Sequence, residues 1–358
     1  MEAHDSSEPP LDSSEPPLEQ TLITLRKNQS PEISDDGRNH RPAETLLIPE
    51  DEESREFMVL PMIDISRLSF EAGHAERTEC EEEIAEAARH WGFFQVVNHG
   101  IPTQVIEQMT VEQKKAFRQP FEVKEAGGGK LQNRQASSYR WGNPAAKCLR
   151  QMFWSEEFRI PTGDIYGIED QSLRSAMEMY ATAVTVLAEK IAGVLAGNLG
   201  TGGSYFRENC TVRTCHLRLN RYPPCPFSEE VFGIVPHTDS DFLTIVCQDA
   251  VGGLQLMKDD GCWVSVSPNP NALVINIGDM LEAWSNGAYK SARHRVITSL
   301  EEERFSIAFF YCPKSETVIR SCISPAIYRD FSFREYQLQV QKDVRATGDK
   351  VGLKRFLV

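Results

Sequence analysis

The stretch Val235-Pro-His-Thr-Asp-Ser-Asp-Phe-Leu-Thr-Ile245 sets an imidazole, His237, and a carboxylate, Asp239, two positions apart. Side chains two apart in an extended strand share a face, so both point at one spot. A second imidazole, His294, stands in Ser291-Ala-Arg-His-Arg-Val-Ile297, 57 positions on (294 − 237). Two imidazoles and a carboxylate from two strands suit a non-haem Fe(II) centre that is bound on one side and open on the other. Ten positions later (304 − 294), Arg304-Phe-Ser306 again puts two polar side chains on one strand face. A guanidinium beside a hydroxyl is a clamp for a carboxylate.

Taken singly, each piece has a plainer reading. A lone His-x-Asp is common by chance, and an isolated arginine more often pairs with a surface acid. The order of the four elements along the chain is what points to a metal-dependent enzyme.

Such a site needs a scaffold of short strands. After Cys210 the chain turns to β-like runs at 213–223, 232–238, 242–249, 253–258, 262–267, 272–277, 292–297 and 304–312, parted by Pro, Gly, Asp and Asn. That spacing predicts a double-sheet jelly roll. Upstream, Phe57 to Ile65 reads as a first strand, and Cys80 to Trp91 and Pro102 to Pro120 read as amphipathic helices. A flexible loop is expected at Gly127-Gly-Gly129, a long helix from Leu173 to Leu199, and a last helix from Phe333 to Arg345. His99, between an apolar run and a glycine, reads as structural rather than as a ligand.

The predicted class is mixed α/β: a double-stranded β-helix (jelly-roll) core flanked by N-terminal helices, with a C-terminal helix. The expected divisions are an acidic Pro-rich tail at 1–55, a mainly helical region at 56–205, the jelly-roll core at 206–315 and a strand and helix extension at 316–358.

The tail holds a tandem repeat, Asp5-Ser-Ser-Glu-Pro-Pro-Leu11 and Asp12-Ser-Ser-Glu-Pro-Pro-Leu18. Residues 1–56 carry 15 acidic and 5 basic side chains, so −10 of the net −14 lies there and about −4 elsewhere. Paired prolines and few apolar residues cannot offset the entropy of ordering, so disorder is expected over 1–55.

The charge argues against nucleic acid or an anionic membrane as partner. No run reaches the roughly 18 uncharged apolar residues of a membrane span. An acidic N-terminus is unlike a secretory signal, so a cytoplasmic location is expected. Nine cysteines, an odd number with no Cys-x-x-Cys pair, read as reduced thiols.

The His-x-Asp, His and Arg-x-Ser elements, with Trp91-Gly-Phe-Phe-Gln-Val-Val-Asn-His-Gly100, Leu219-Asn-Arg-Tyr-Pro-Pro-Cys225 and Asn276-Ile-Gly-Asp-Met-Leu281, resemble the plant Fe(II)/2-oxoglutarate-dependent dioxygenases from about Leu60 onward. The resemblance implies Fe(II) held by His237, Asp239 and His294, with 2-oxoglutarate and O2 as co-substrates and ascorbate as an accessory reductant. It places Arg304, Ser306, Tyr222 and Asn220 at the 2-oxoglutarate. Phe310, in phase with Arg304 and Ser306, is expected to face the barrel interior and the substrate.

Aromatics gather around Arg140 between Ser138 and Phe158. Tyr139, Arg140 and Trp141 could therefore hold a bulky apolar acid, although core aromatics plus a surface arginine fit the same composition. Ser138-Tyr-Arg-Trp-Gly142, Trp154-Ser-Glu156 and Leu217-Arg-Leu-Asn-Arg-Tyr-Pro-Pro-Cys225 resemble gibberellin 2-oxidases, in particular the branch acting on C20 gibberellins, which implies a small diterpenoid acid as substrate. The chain departs from that branch at Ala145 to Cys148, and at Glu157 and Arg159, where Ala and His are expected. Open beside this reading are a sister dioxygenase acting on another gibberellin carbon or on a flavonoid, and a non-catalytic jelly-roll binding module.

Overall fold

This computed structural model describes residues 14–17, 57–69, 71–127, 139–143, 146, 151–228 and 231–358. The strands, in chain order, are β1 (Phe57–Met58), β2 (Met62–Asp64), β3 (Phe93–Val97), β4 (Tyr139–Trp141), β5 (Glu156–Pro161), β6 (His216–Tyr222), β7 (Phe232–His237) and β8 (Leu243–Gln248). They continue as β9 (Leu254–Met257), β10 (Trp263–Val266), β11 (Leu273–Ile277), β12 (His294–Ile297), β13 (Arg304–Tyr311), β14 (Val318–Ile319) and β15 (Phe331–Ser332). The helices are α1 (His74–His90), α2 (Thr103–Phe117), α3 (Phe121–Glu125), α4 (Gln171–Asn198), α5 (Ser204–Asn209), α6 (Asp279–Trp284) and α7 (Phe333–Thr347).

A large sheet runs β2-β3-β11-β8-β13-β6-β5-β4, and a smaller one runs β1-β10-β9-β12-β7. Only β2 with β3 and β1 with β10 pair in parallel within these two sheets. The eight runs expected after Cys210 are β6 to β13, and their mainly antiparallel pairing forms the jelly roll. β3, β4, β5, α3, α5 and α6 were not foreseen. β3 is buried on both faces and shows no alternation, while β4 is only three residues long.

Cross-strand register fixes what each face carries, because neighbours across a ladder point the same way. Leu217, Leu219, Phe305, Ile307, Phe309, Ile245 and Phe158 form one face of the large sheet, all buried in the main core. Helices α2 and α4 cover that face, with Phe117 packed 5.0 Å from Phe158 and 6.2 Å from Phe305. Buried Gln113 of α2 donates to the carbonyls of Asn220 (3.1 Å) and Ser306 (2.8 Å), tying the helix to one rung of the sheet.

Helix α4 starts where the Asp170 side chain accepts from the Leu173 amide at 2.9 Å. By length and composition α4 is apolar enough to cross a membrane, although Arg174, Glu178, Glu189 and Lys190 interrupt it; 56% of its most apolar window is buried inside the protein.

The expected disordered tail needs a correction at one point. Ser14 to Pro17 pack on the domain: the Ser14 carbonyl accepts from Lys124 Nζ at 2.8 Å, and Glu15 accepts from Arg221 Nη1 at 3.2 Å. Lys124, Glu156 and Arg221 are buried together under the helix-covered face, and a further carboxylate there is favourable because those cations have left water. Residues 1–13 and 18–56 lie outside the described residues, as do most of the loop expected from Gly127 and most of the Ala145–Cys148 departure.

Candidate metal centre

β7 ends at His237 and β12 begins at His294, and these two residues face each other as a register pair. The turn after β7 brings Asp239 between them. One ligand atom from each of the three lies within 4.8 Å of the others, a spacing that lets all three share one cation. Asp239 Oδ1 is 3.6 Å from His237 Nε2 and Oδ2 is 3.8 Å from His294 Nε2. His237 Nδ1 lies 2.8 Å from the Val235 carbonyl and His294 Nδ1 3.2 Å from that of Ala292. Each carbonyl fixes the proton on Nδ1 and leaves the Nε2 lone pair for a metal.

The electrostatics agree with that use. Burial, then the neighbouring His237, lowers the His294 pKa to about 4, so this imidazole is neutral at ordinary pH. Burial works to raise the Asp239 carboxyl, but the two imidazoles and the Thr244 hydroxyl hold it well below the usual carboxylate range. Thr244 donates to Asp239 Oδ2 at 2.6 Å, and the Asn276 amide donates to the same oxygen. Asp239 is therefore an oriented anion between two imidazole donors, the chemistry a ferrous ion asks for.

The metal loop is held from behind by α6. The amides of Asp279 and Met280 donate to the carbonyls of Asp239 (2.9 Å) and Asp241 (3.0 Å). Lys350, from the C-terminal extension, donates to the Thr238 carbonyl (2.8 Å) and Ser240 Oγ (2.9 Å) and pairs with Asp279 at 2.7 Å. Gly278 makes this fit possible, since a Cβ there would meet the Asp241 carbonyl oxygen at 2.2 Å. Gly278→Ala is expected to cost about 1–3 kcal/mol by overpacking and to weaken Fe(II) binding, because the loop must back away. Thermal melting and metal titration check it; a variant matching the wild type in both refutes this role for Gly278.

Register carries the site along the large sheet. Arg304, Ser306 and Phe310 lie opposite Tyr222, Asn220 and His216 on β6, and Ser306 and Phe310 lie opposite Gln248 and Thr244 on β8. Arg304 is buried, its Nη2 donating to Gln248 Oε1 at 2.9 Å and its guanidinium stacked 4.9 Å from the Tyr222 ring centre. Its Nε and Nη1, with Gln248 Nε2 and Asn220 Oδ1, have no hydrogen-bond partner. Ser306 Oγ accepts from Asn220 Nδ2 at 3.2 Å, so its own proton is free to donate. Buried orphan donors are costly, and a buried guanidinium with N–H groups to spare fits the distal carboxylate of a keto-diacid.

Of the residues singled out for the substrate, the structure brings only some together. β4 alternates, so Tyr139 and Trp141 point away from the face that carries Arg140. The Tyr139 hydroxyl donates to buried Glu156 at 2.6 Å, and Trp141 packs edge-on to Trp154 at 5.5 Å. Both belong to the helix-covered side and not to the metal side. Arg140 lies on the metal side at the outer edge, exposed and 3.6 Å from Glu157. Phe310 stacks on His216 at 4.3 Å, in the rung that also carries Thr244.

Thr244, Gln248, Asn276, Asp279 and Lys350 carry structural duties that motif reading did not assign. Strand parity from His237 and Arg304 was a usable signal for Thr244 and Gln248; nothing near Lys350 marks it.

Comparison with known proteins agrees with this geometry. Residues 213–313 match the 2OG-Fe(II) oxygenase superfamily, and residues 60–177 match the N-terminal region of non-haem dioxygenases of the morphine-synthesis type. Gibberellin 2-beta-dioxygenase 8 of Arabidopsis thaliana is 53% identical over 83% of this chain and 87% of its own length. Gibberellin 2-beta-dioxygenase 6 of Oryza sativa is 48% identical over 83% and 84%. Among solved structures, JOX2 in complex with 2OG, Fe and JA superposes with a TM-score of 0.69 at 29% identity, covering 92% of this chain and 94% of that one. A rice dioxygenase for auxin oxidation gives 0.70 at 27% identity, covering 84% and 100%. With relatives this similar over most of its length and a three-ligand pocket beside a carboxylate fork, the chain belongs to the 2-oxoglutarate-Fe(II) oxygenase superfamily and is a 2-oxoglutarate-dependent dioxygenase of that family.

Proposed function

We propose that the enzyme hydroxylates gibberellins at C2 on the β face, with C20 precursors preferred, and thereby inactivates the hormone. The observation that carries the chemistry is the convergence of His237, Asp239 and His294 within 4.8 Å, and the 45–53% identity to four gibberellin 2-beta-dioxygenases carries the substrate. The preference for C20 precursors rests on the segments around Tyr139, Trp154 and Arg218.

In this reading His237, Asp239 and His294 hold Fe(II), which with 2-oxoglutarate and O2 supplies oxidative decarboxylation to succinate and CO2 coupled to oxygen insertion into a C–H bond. Val235 and Ala292 keep the imidazole lone pairs aimed inward, and Thr244 and Asn276 fix the Asp239 carboxylate. Arg304 and Ser306 anchor the far carboxylate of 2-oxoglutarate, with Tyr222 stacked on the guanidinium. No side chain needs to act as a general acid or base. The barrel's task is placement, choosing which C–H bond comes within reach.

Incubation of the purified protein with Fe(II), 2-oxoglutarate and a panel of C19 and C20 gibberellins, read by mass spectrometry and product standards, tests the proposal. The expected result is a C2-hydroxylated product, formed fastest from C20 members. Hydroxylation at another carbon, or of a flavonoid but no gibberellin, refutes the assignment.

A further inference from the structure

The metal-facing side of the large sheet continues past the 2-oxoglutarate fork onto β5 and β4. There Arg140 lies opposite Glu157, which lies opposite Asn220; Arg159 lies opposite Arg218, which lies opposite Ala308; and Pro161 lies opposite His216, which lies opposite Phe310. The helix-covered residues of β5 are buried, while Glu157 is half-buried and Arg159 exposed, so this patch lines an open mouth.

The mouth carries three guanidiniums and one carboxylate, a surplus of two positive charges (3 − 1). Glu157 is shared, 3.3 Å from Arg218 Nε and 3.6 Å from Arg140 Nη1. The contact to Arg218 is off the line of a hydrogen bond, leaving that Nε unpaired. Among the described residues no carboxylate lies within ion-pair distance of Arg159. The Arg218 guanidinium sits 5.1 Å from the Phe310 ring centre, and the same ring stacks on His216. Burial holds His216 neutral, with Arg159 and Arg218 adding to that effect, so it does not offset or extend the charge.

Two guanidiniums on paired strand positions repel each other and have only one carboxylate to divide. Their planar forks match a carboxylate, and Phe310 connects them to the rung of Thr244, which holds Asp239.

We propose that Arg159 and Arg218 together receive a carboxylate of the substrate, and that this pair, rather than Arg140 at the rim, makes the enzyme selective for an acid. The inference rests on the gibberellin reading and names the side chains that act on it.

The test compares kcat/KM for a gibberellin and for its methyl ester, with the KM for 2-oxoglutarate measured alongside. Loss of a charge-assisted hydrogen bond corresponds to roughly 10-fold to 100-fold, so the wild type is expected to favour the acid by about that factor. Arg159→Gln and Arg218→Gln should each remove most of the preference through the KM for the acid. Arg159→Lys should restore part of it, and the 2-oxoglutarate KM should move less than about 3-fold.

Retention of the preference in both glutamine variants overturns the proposal, as does its loss in Arg140→Gln alone. A wild type that hydroxylates acid and ester equally overturns the receptor but leaves the gibberellin assignment standing. A wild type that hydroxylates no gibberellin removes both. Arg159 is exposed, so its variants are expected to melt with the wild type, and a matching melting curve separates recognition from misfolding.

Discussion

Asp239→Ala is expected to abolish Fe(II)-dependent succinate formation and, in the same protein, the stabilisation that Fe(II) confers on the fold. Asp239 is the one anion of the three candidate ligands, and neutral His294 cannot replace its charge toward a dication. The substitution also strands the Asn276 amide, aimed at the lost Oδ2, and leaves the Thr244 hydroxyl with Asp241 alone. A ligand bound only by the native state at 100 times its Kd adds about 2.7 kcal/mol to stability. Anaerobic melting with and without Fe(II) should show that gain in the wild type and none in the variant. Asp239→Asn keeps the shape of the side chain, so it separates loss of charge from loss of packing. A variant that Fe(II) still stabilises as strongly as the wild type removes Asp239 from the metal centre, whatever happens to activity.

The three metal ligands and the carboxylate clamp were readable in the sequence from short spacings of polar side chains within apolar, strand-like runs. Arg304 and Ser306 announce a shared face of β13 by spacing alone, whereas Asp239 lies past the end of β7 and reaches His237 through a turn; the eight runs after Cys210 fall within a few residues of β6 to β13. The same rule, applied to residues 139–141, would have divided Arg140 from its two aromatic neighbours. That stretch was read by composition and not as a strand, so Tyr139 and Trp141 were grouped with a side chain on the opposite face.

Other features depend on distant pairing, which local pattern does not carry. Arg221 looks like one more strand arginine until Glu15, 206 positions upstream, and Glu156, 65 positions upstream, reach it. Lys350 becomes a brace for the metal loop only because the C-terminal segment folds back to Thr238, 112 positions away. The expected disorder of the tail failed at Ser14 to Pro17 for the same reason: a buried cationic pocket supplied a partner that the tail's own composition could not reveal.

Arg304→Lys is expected to raise the KM for 2-oxoglutarate by about 10-fold to 100-fold, the range for losing a charge-assisted hydrogen bond, while changing the KM for the gibberellin far less. The guanidinium now uses one nitrogen on Gln248 Oε1 and leaves Nε and Nη1 as unpaired donors. An ammonium is a point donor on a thinner stem, so it cannot keep Gln248 and also grip both oxygens of a carboxylate. It also gives up the planar stacking on Tyr222, leaving that ring without its neighbour. The residue is buried, so water cannot step in freely to complete the missing bonds. Steady-state titrations of each substrate at saturating levels of the other give the two KM values. An increase of similar size in both would mean that the arginine supports the whole pocket and does not single out the keto-diacid. In that case the orphan donors of Arg304 and Gln248 and the unpaired Asn220 Oδ1 would need another partner.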